Sequence, residues 1–445
     1  MVKHWKLLLA AGALIVASAQ AYAADQHALI KRGEYLAIAG DCGACHTEEG
    51  KAPFSGGHAI ASPLGTIFST NITPSKSAGI GNYSEAQFAA ALRKGVRGDG
   101  SQLYPAMPYT AYARLTDDDV AALYAYFMHG VQPVDVKPEA TALPFPFNLR
   151  FSMAAWNLLF ADSSVYQPDA TQTAQWNRGA YLVQGLTHCS TCHTPRNLLM
   201  AEQQAKSLQG ASLGTWYAPD ITAATLQSKP RWTRQMLADY LATGHAANGA
   251  TAGGPMLEAI DKSFSRMTPE DRQAIAAYLL PVDVEAAAPA AVKGLTPVAG
   301  NDLPQTLAGL SEGERVYRDS CASCHNLSGQ GLNGLPALQH HPVLNKPTAD
   351  NVAMAVLQGV WPEKEQGMIG FADSLSDSQI AAVTNYVMQD MGHSAVRITP
   401  ERVKALRAGG ETSPLMLLSR VGMALAAVAA VLALLWLRKK RAARR

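Results

Sequence analysis

The feature that most constrains this chain is a pentapeptide used three times: Cys42-Gly43-Ala44-Cys45-His46, then Cys189 to His193, then Cys321 to His325. All six cysteines lie in these motifs, so none is left over for a disulfide. Two cysteines three apart share about one turn of helix. Their sulfurs can therefore reach the two vinyl groups of one porphyrin, and the next residue turns its imidazole toward the iron. Cys-x-x-Cys-His is the spacing of covalent c-type haem attachment. The repetition predicts three covalently bound haem c groups, attached at Cys42, Cys45, Cys189, Cys192, Cys321 and Cys324, with His46, His193 and His325 as axial ligands.

At 445 residues and 48% hydrophobic, the chain is long enough for two to four domains, and the motifs favour three. Residues 1–23 read as a secretory signal: Lys3 and Lys6, an apolar run from Leu7 to Ala19, then Ala21-Tyr22-Ala23 as a small-residue cleavage site. Export suits haem attachment, which bacteria carry out on the outer side of the cytoplasmic membrane; an uncleaved anchor is the alternative.

The other end differs in kind. Val421 to Leu437 is an uncharged run of 17 residues, lengthened by Leu415 to Leu418 and followed by a basic tail at 438–445. It predicts a transmembrane helix over 415–437, with Arg420 snorkelling and the tail in the cytoplasm. An interfacial helix is the alternative, disfavoured because the run is apolar on every face. Setting aside Lys3, Lys6 and the six basic tail residues leaves 29 Lys and Arg against 35 Asp and Glu. A body of net charge about −6 is poorly suited to nucleic acid.

Three units follow in order. The first, 24–131, runs a helix through Gly33-Glu34-Tyr35-Leu36 into Cys42 and closes with a helix from Asp117 capped by Thr116. Haem iron held by histidine commonly takes a methionine thioether opposite. Met107, stiffened by Pro105 and Pro108, is the candidate, with Met128 the competing core methionine. Residues 132–173 form an apolar connector packed along the body, with a short helix around Met153 to Leu159.

The second unit, 174–281, repeats the first: Arg178-Gly179-Ala180-Tyr181-Leu182 matches Arg32-Gly33-Glu34-Tyr35-Leu36, and Pro219-Asp220-Ile221-Thr222 resembles Thr70-Asn71-Ile72-Thr73. Such aligned landmarks indicate duplication of a whole domain. Met256 lies 63 residues after His193, as Met107 lies 61 after His46, and is preferred over Met236 and Met267. An Ala/Pro linker at 282–304 leads to the shorter third unit, 305–393. There Met368, 43 residues past His325, is preferred over Met354 and Met388. Residues 394–414 read as a linker to the anchor. His188, His340 and His341 are taken as surface or propionate contacts, since adjacent histidines do not face one point.

Together these residues resemble the triple-haem cytochrome c subunits of bacterial membrane-bound dehydrogenases for alcohols, gluconate and related polyols and sugars. The likeness covers nearly all of the body. It includes Thr70-Asn71-Ile72-Thr73-Pro74 with Gly79-Ile80-Gly81, Tyr104-Pro105-Ala106-Met107-Pro108-Tyr109, and Cys192-His193-Thr194-Pro195-Arg196-Asn197. The resemblance implies a mainly α fold: three tandem class I cytochrome c-like domains plus one C-terminal transmembrane helix. It also implies electrons received from a catalytic flavin or quinoprotein subunit and passed to ubiquinone, with a small third subunit as an optional partner. The haem domains would face the periplasm, anchored in the inner membrane.

One departure is Gly367-Met368-Ile369, where relatives place a proline after the methionine, leaving that loop less constrained. No G-x-G-x-x-G opens a strand-to-helix unit, so no substrate chemistry of the chain's own is expected. The competing readings are an electron carrier for a terminal oxidase or a molybdenum hydroxylase, and a peroxidase-type enzyme with an open third iron.

Overall fold

A computed structural model describes residues 24–228, 231–282, 309–332, 335–410 and 414–443. The signal expected at 1–23 and nearly all of the linker expected at 282–304 lie outside these residues.

The structure is mainly helical, and each unit is built on one crossing. In the first, a helix over residues 24–39 meets the closing helix Asp117–His129. Thr116 caps the latter by accepting from the Asp119 amide, and three aspartates in its first turn complement the helix dipole. The same pair recurs as Ala174–Tyr181 against Pro269–Leu279 and as Glu312–Ser320 against Asp377–Tyr386. Close approach is possible because a glycine stands at each crossing. A Cβ on Gly33 would lie 2.0 Å from the Ala122 carbonyl oxygen, on Gly179 1.9 Å from that of Ala274, and on Gly313 2.2 Å from that of Ala382.

Between opening and closing helices, the first unit holds the hairpin Ala59–Ser62 with Gly65–Phe68 and the helix Glu85–Lys94, fixed by a Ser84–Gln87 capping box. The second holds Gln209–Ser212 with Tyr217–Asp220 and the helices Arg234–Thr243 and Gly254–Lys262. The third holds Asp350–Gln358 and, among the described residues, no hairpin strands; Met368 bridges Val360 instead.

The first two units are not independent. One continuous core takes Leu36, Leu115, Leu123 and Phe127 from the first and Leu182, Leu186, Ile260 and Ile275 from the second. Fully burying each such side chain contributes about 1.5–3 kcal/mol, so the seam is part of what stabilises both. The third unit has its own core around Tyr317, Leu344, Met354, Ile380 and Met388, into which Trp216 of the second unit inserts.

The connector at 132–173 follows the first unit closely. Asn71 Nδ2 donates to the carbonyls of Val134 (2.7 Å) and Val136 (3.0 Å), and Thr141 Oγ1 accepts from the Phe68 amide. Its helix is Ser152–Phe160.

Two stretches differ from the sequence reading. Residues 394–414 are not simply a linker: Pro400–Arg407 forms a helix that buries Val403 and Leu406 against the third core, and Arg402 pairs with Asp350. The spacing of Ile398, Val403 and Leu406 carried that signal. The apolar C-terminal helix runs Leu415–Ala442, 28 residues, and so takes in most of the basic tail. At 1.5 Å per residue this is about 42 Å, and Lys and Arg are good helix formers that suit a C-terminus. Lys440 lies over the Trp436 ring, 4.6 Å from its centre. This helix is exposed along its length and is the one among the described residues long and apolar enough to cross a membrane.

Candidate haem-attachment sites

Each motif is a single helical turn: Cys42–His46, Cys189–His193 and Ala322–His325. In the first two the turn is set off from the opening helix by a left-handed residue, Asp41 (φ 55°) and His188 (φ 39°). In the third, Cys321 is right-handed (φ −118°) and continues from the helix before it. The first two sites are copies in backbone, and the third is built differently.

None of the six cysteines is paired in a disulfide. Burial, then Asp41, pushes the Cys42 and Cys45 thiols up to about 12. Cys45 and Cys192 are near enough to interact electrostatically, which brings the first and second sites together.

Each motif histidine has one ring nitrogen engaged by a backbone carbonyl. His46 Nδ1 meets Thr70 O at 2.6 Å, His193 Nδ1 meets Pro219 O at 2.6 Å, and His325 Nδ1 meets Pro336 O at 3.2 Å. A carbonyl only accepts, so Nδ1 carries the proton and Nε2 is left with its lone pair, the arrangement a metal-ligating imidazole needs. Burial lowers all three imidazoles, partly offset by these bonds, and favours the neutral ring. The residues therefore fit haem c: paired thiols on one turn, followed by a histidine presenting Nε2.

The carbonyl partners were missed in the sequence, although a signal for two of them was there. Thr70-Asn71-Ile72-Thr73 and Pro219-Asp220-Ile221-Thr222 recur because they do the same work. Asn71 Oδ1 accepts from the amide and hydroxyl of Thr73, and Asp220 Oδ1 accepts from the amide and hydroxyl of Thr222. Each turn thereby fixes the carbonyl one residue before it. Pro336, only 11 residues past His325, had no repeat to mark it.

The candidate methionines occupy three settings. Met107 sits in a tight turn, its amide donating to Tyr104 O and its carbonyl accepting from the Tyr109 amide, and it packs against the shared core. Met256 lies in the first turn of Gly254–Lys262 with Pro255 before it and packs on the same core. Met368 exchanges both backbone bonds with Val360, at 2.8 and 2.9 Å, beside Trp361 (62% exposed) and Ile369 (60%). Of the competitors, Met267, Met354 and Met388 are buried in the cores, and Met128 packs against the shared core from outside.

Of the three histidines read as surface or propionate contacts, two are not on the surface. His188 is half-buried at the seam of the first two units, edge-on to Tyr112, and burial pushes it down to about 4. His341 is buried and Nε2 meets Thr251 Oγ1 of the second unit at 2.9 Å. His340 alone is exposed.

Asp41 is a further group at the first seam. Its Oδ1 is buried without a partner, and burial, then Glu258, pushes the carboxyl up to about 8. Among the described residues no cluster of three His, Cys, Asp or Glu is arranged to hold a bare metal ion.

The cytochrome c family model matches residues 30–130, 177–283 and 310–390. The chain is 42% identical over 448 residues to the fructose dehydrogenase cytochrome subunit of Gluconobacter japonicus, covering 93% of this chain and 92% of that one. It is 39% identical over 402 residues to the gluconate 2-dehydrogenase cytochrome c subunit of Pantoea cypripedii, covering 85% and 90%. It is also 41% identical over 368 residues to a nicotinate dehydrogenase subunit of Pseudomonas putida, covering 81% of this chain but 30% of that larger protein. With the three attachment turns and their oriented histidines, these matches place the chain in the cytochrome c family, with covalently bound haem c as its cofactor.

Proposed function

We propose that this chain is a three-haem electron-transfer subunit that accepts electrons from a partner dehydrogenase and delivers them to ubiquinone in the inner membrane. The observation that carries the reading is the tethering of His46, His193 and His325 through Nδ1, which leaves three imidazoles oriented alike for iron. Cys42, Cys45, Cys189, Cys192, Cys321 and Cys324 would form the thioether links, and Met107, Met256 and Met368 would supply the opposite ligands. Bound haem c supplies a one-electron Fe(III)/Fe(II) couple, which a thioether ligand shifts toward the reduced state. The chain's own contribution is to hold the attachment sites at fixed spacing, exclude water with the shared core, and keep the imidazoles neutral.

Leu415–Ala442 would anchor the body at the bilayer where quinone resides, with the haem units in the periplasm and Arg438 to Arg441 toward the cytoplasm. The donor would be a catalytic subunit acting on a sugar, sugar acid or alcohol, as the names of the relatives suggest, with a small third subunit as an optional partner.

The test is purification of the membrane complex in mild detergent, with haem quantified per chain and quinone reduction assayed. Three haems, a co-purifying dehydrogenase and substrate-dependent quinone reduction are expected; Cys321→Ala with Cys324→Ala should leave two haems. Met368→Ala should lower the potential of one haem and open it to carbon monoxide. Carbon monoxide binding to the unsubstituted protein would instead favour an open iron. The likeness to a subunit of nicotinate dehydrogenase supports a second reading, another donor class, which the identity of the co-purifying protein decides.

A further inference from the structure

The loop at 336–346 of the third unit does two things at once. Its first residue, Pro336, presents the carbonyl that orients His325. Its middle and end lie against the second unit. His341 Nδ1 accepts from the Val343 amide at 3.1 Å, which leaves the ring proton on Nε2, and Nε2 meets Thr251 Oγ1 at 2.9 Å. Thr251 stands in the tight turn over residues 244–252, bridged to His245, that leads directly into Met256. Lys346, half-buried, lies within electrostatic reach of Asp220, the residue after the carbonyl that orients His193. The methionine side is joined as well: a Cβ on Gly253 would stand 3.9 Å from Val360, the backbone partner of Met368.

We propose that His341 is a positioning residue that fixes the second and third haem sites relative to one another, by tying the loop that orients His325 to the loop that presents Met256. The contact suits that task because both partners are specific: His341 is one ring with one donor and one acceptor, each satisfied. Burial, reinforced by Lys346 and His325, pushes the ring down to about 4, so it stays neutral and keeps this tautomer at neutral pH. Trp216 in the third core and the paired bonds between Asn351 and the Tyr217 backbone hold the units together elsewhere on the seam. Loss of the His341 contact therefore loosens the arrangement of the two sites without separating the units.

The inference rests on the function proposed above. Its test uses the full-length haem-loaded chain in detergent, comparing His341→Ala, His341→Gln and Thr251→Val. Three measurements are made: haems per chain, the rate at which electrons redistribute between haems after flash reduction, and the magnetic relaxation between ferric centres. Loss of one buried hydrogen bond shifts a docking equilibrium by about tenfold. His341→Ala and Thr251→Val should both retain three haems, slow redistribution by about that factor, and weaken relaxation coupling. His341→Gln, whose amide can replace both the donor and the acceptor, should recover most of the rate. Three haems with unchanged rate and coupling in both variants would overturn the proposal, as would a glutamine variant as slow as alanine. Fewer than three haems in the unsubstituted chain would overturn the underlying function and this inference with it.

Discussion

Tyr35 of the first unit donates its hydroxyl to Asp271 of the second at 2.6 Å, and the duplicate of Tyr35, Tyr181, donates to Asp119 of the first. Within each unit the same carboxylate is held by an arginine of the opening helix: Arg32 on Asp119, and Arg178 on Asp271 with both bonds at 2.7 Å. Two copies of one domain are thus joined by exchanging one hydroxyl across a pseudo-twofold seam. For Asp271, burial alone would raise the carboxyl, but Arg178 and Tyr35 outweigh it and hold it below the usual range.

Tyr35→Phe should cost about 1–2 kcal/mol, because its contact is only part-buried, and Tyr181→Phe, whose contact is buried, about 2–3 kcal/mol, within the range for a bond to a charged group. Arg178, which holds Asp271, also lies over the Tyr181 ring, so the two contacts are coupled and the double variant should depart from the sum, read by denaturant unfolding. A double variant no less stable than either single would show that the exchange does not hold the seam.

The glycines at the helix crossings give a different signature. Gly33→Ala, Gly179→Ala or Gly313→Ala forces a methyl into a backbone carbonyl that cannot move aside as a side chain would. The cost is about 1–3 kcal/mol or more. Because the third unit has a core of its own, Gly313→Ala should split off an early transition detected at the third haem alone. Gly33→Ala should instead lower the transition of the first and second units together, since they share a core. Calorimetry with site-resolved haem spectra separates the cases, and identical profiles for the two variants would count against two cooperative blocks.

What the sequence made legible follows physical lines. The covalent requirement for two thiols and an imidazole is local, so Cys42 to His46 and its repeats announced themselves. Helix ends such as Thr116 with Asp117 were legible for the same reason. The seam was not: the Tyr35–Asp271 pair spans 236 residues, and nothing within one unit says which partner an exposed-looking tyrosine will find. The reading of His341 as a surface or propionate contact did not foresee its burial, because its partner, Thr251, lies 90 residues away in another unit. The repeated Asn71 and Asp220 turns were seen as landmarks of duplication. Their use, fixing a carbonyl against a histidine, needs the fold to bring together residues 24 and 26 positions apart.

Removal of the C-terminal helix tests the anchor. A chain ending at Gly410 keeps the packed helix Pro400–Arg407 and all three attachment turns but lacks Leu415–Ala442. It should leave the membrane fraction without detergent while retaining its haems, because a helix of 28 residues, about 42 Å, is the element among the described residues long enough to hold the body on a bilayer. Retention in the membrane pellet after high-salt and alkaline washing would assign the anchoring elsewhere.

The pH dependence of stability should carry the mark of Asp41. Its carboxyl is buried between the first attachment turn and the helix bearing Met256, with Oδ1 unpartnered, and burial together with Glu258 pushes it up to about 8. Unfolded, the same group titrates near 3.9. Between those values the folded chain binds the proton and the unfolded chain does not, so this residue's contribution to stability falls as pH rises and is fully lost above about 8. Asn fits the left-handed backbone at this position (φ 55°) as readily as Asp and stays neutral at every pH. Asp41→Asn should therefore match the parent near pH 4 and exceed it increasingly toward pH 8, measured as thermal midpoints of the haem-loaded protein. Parallel midpoint curves for the two proteins would show that Asp41 ionises in the folded state without penalty.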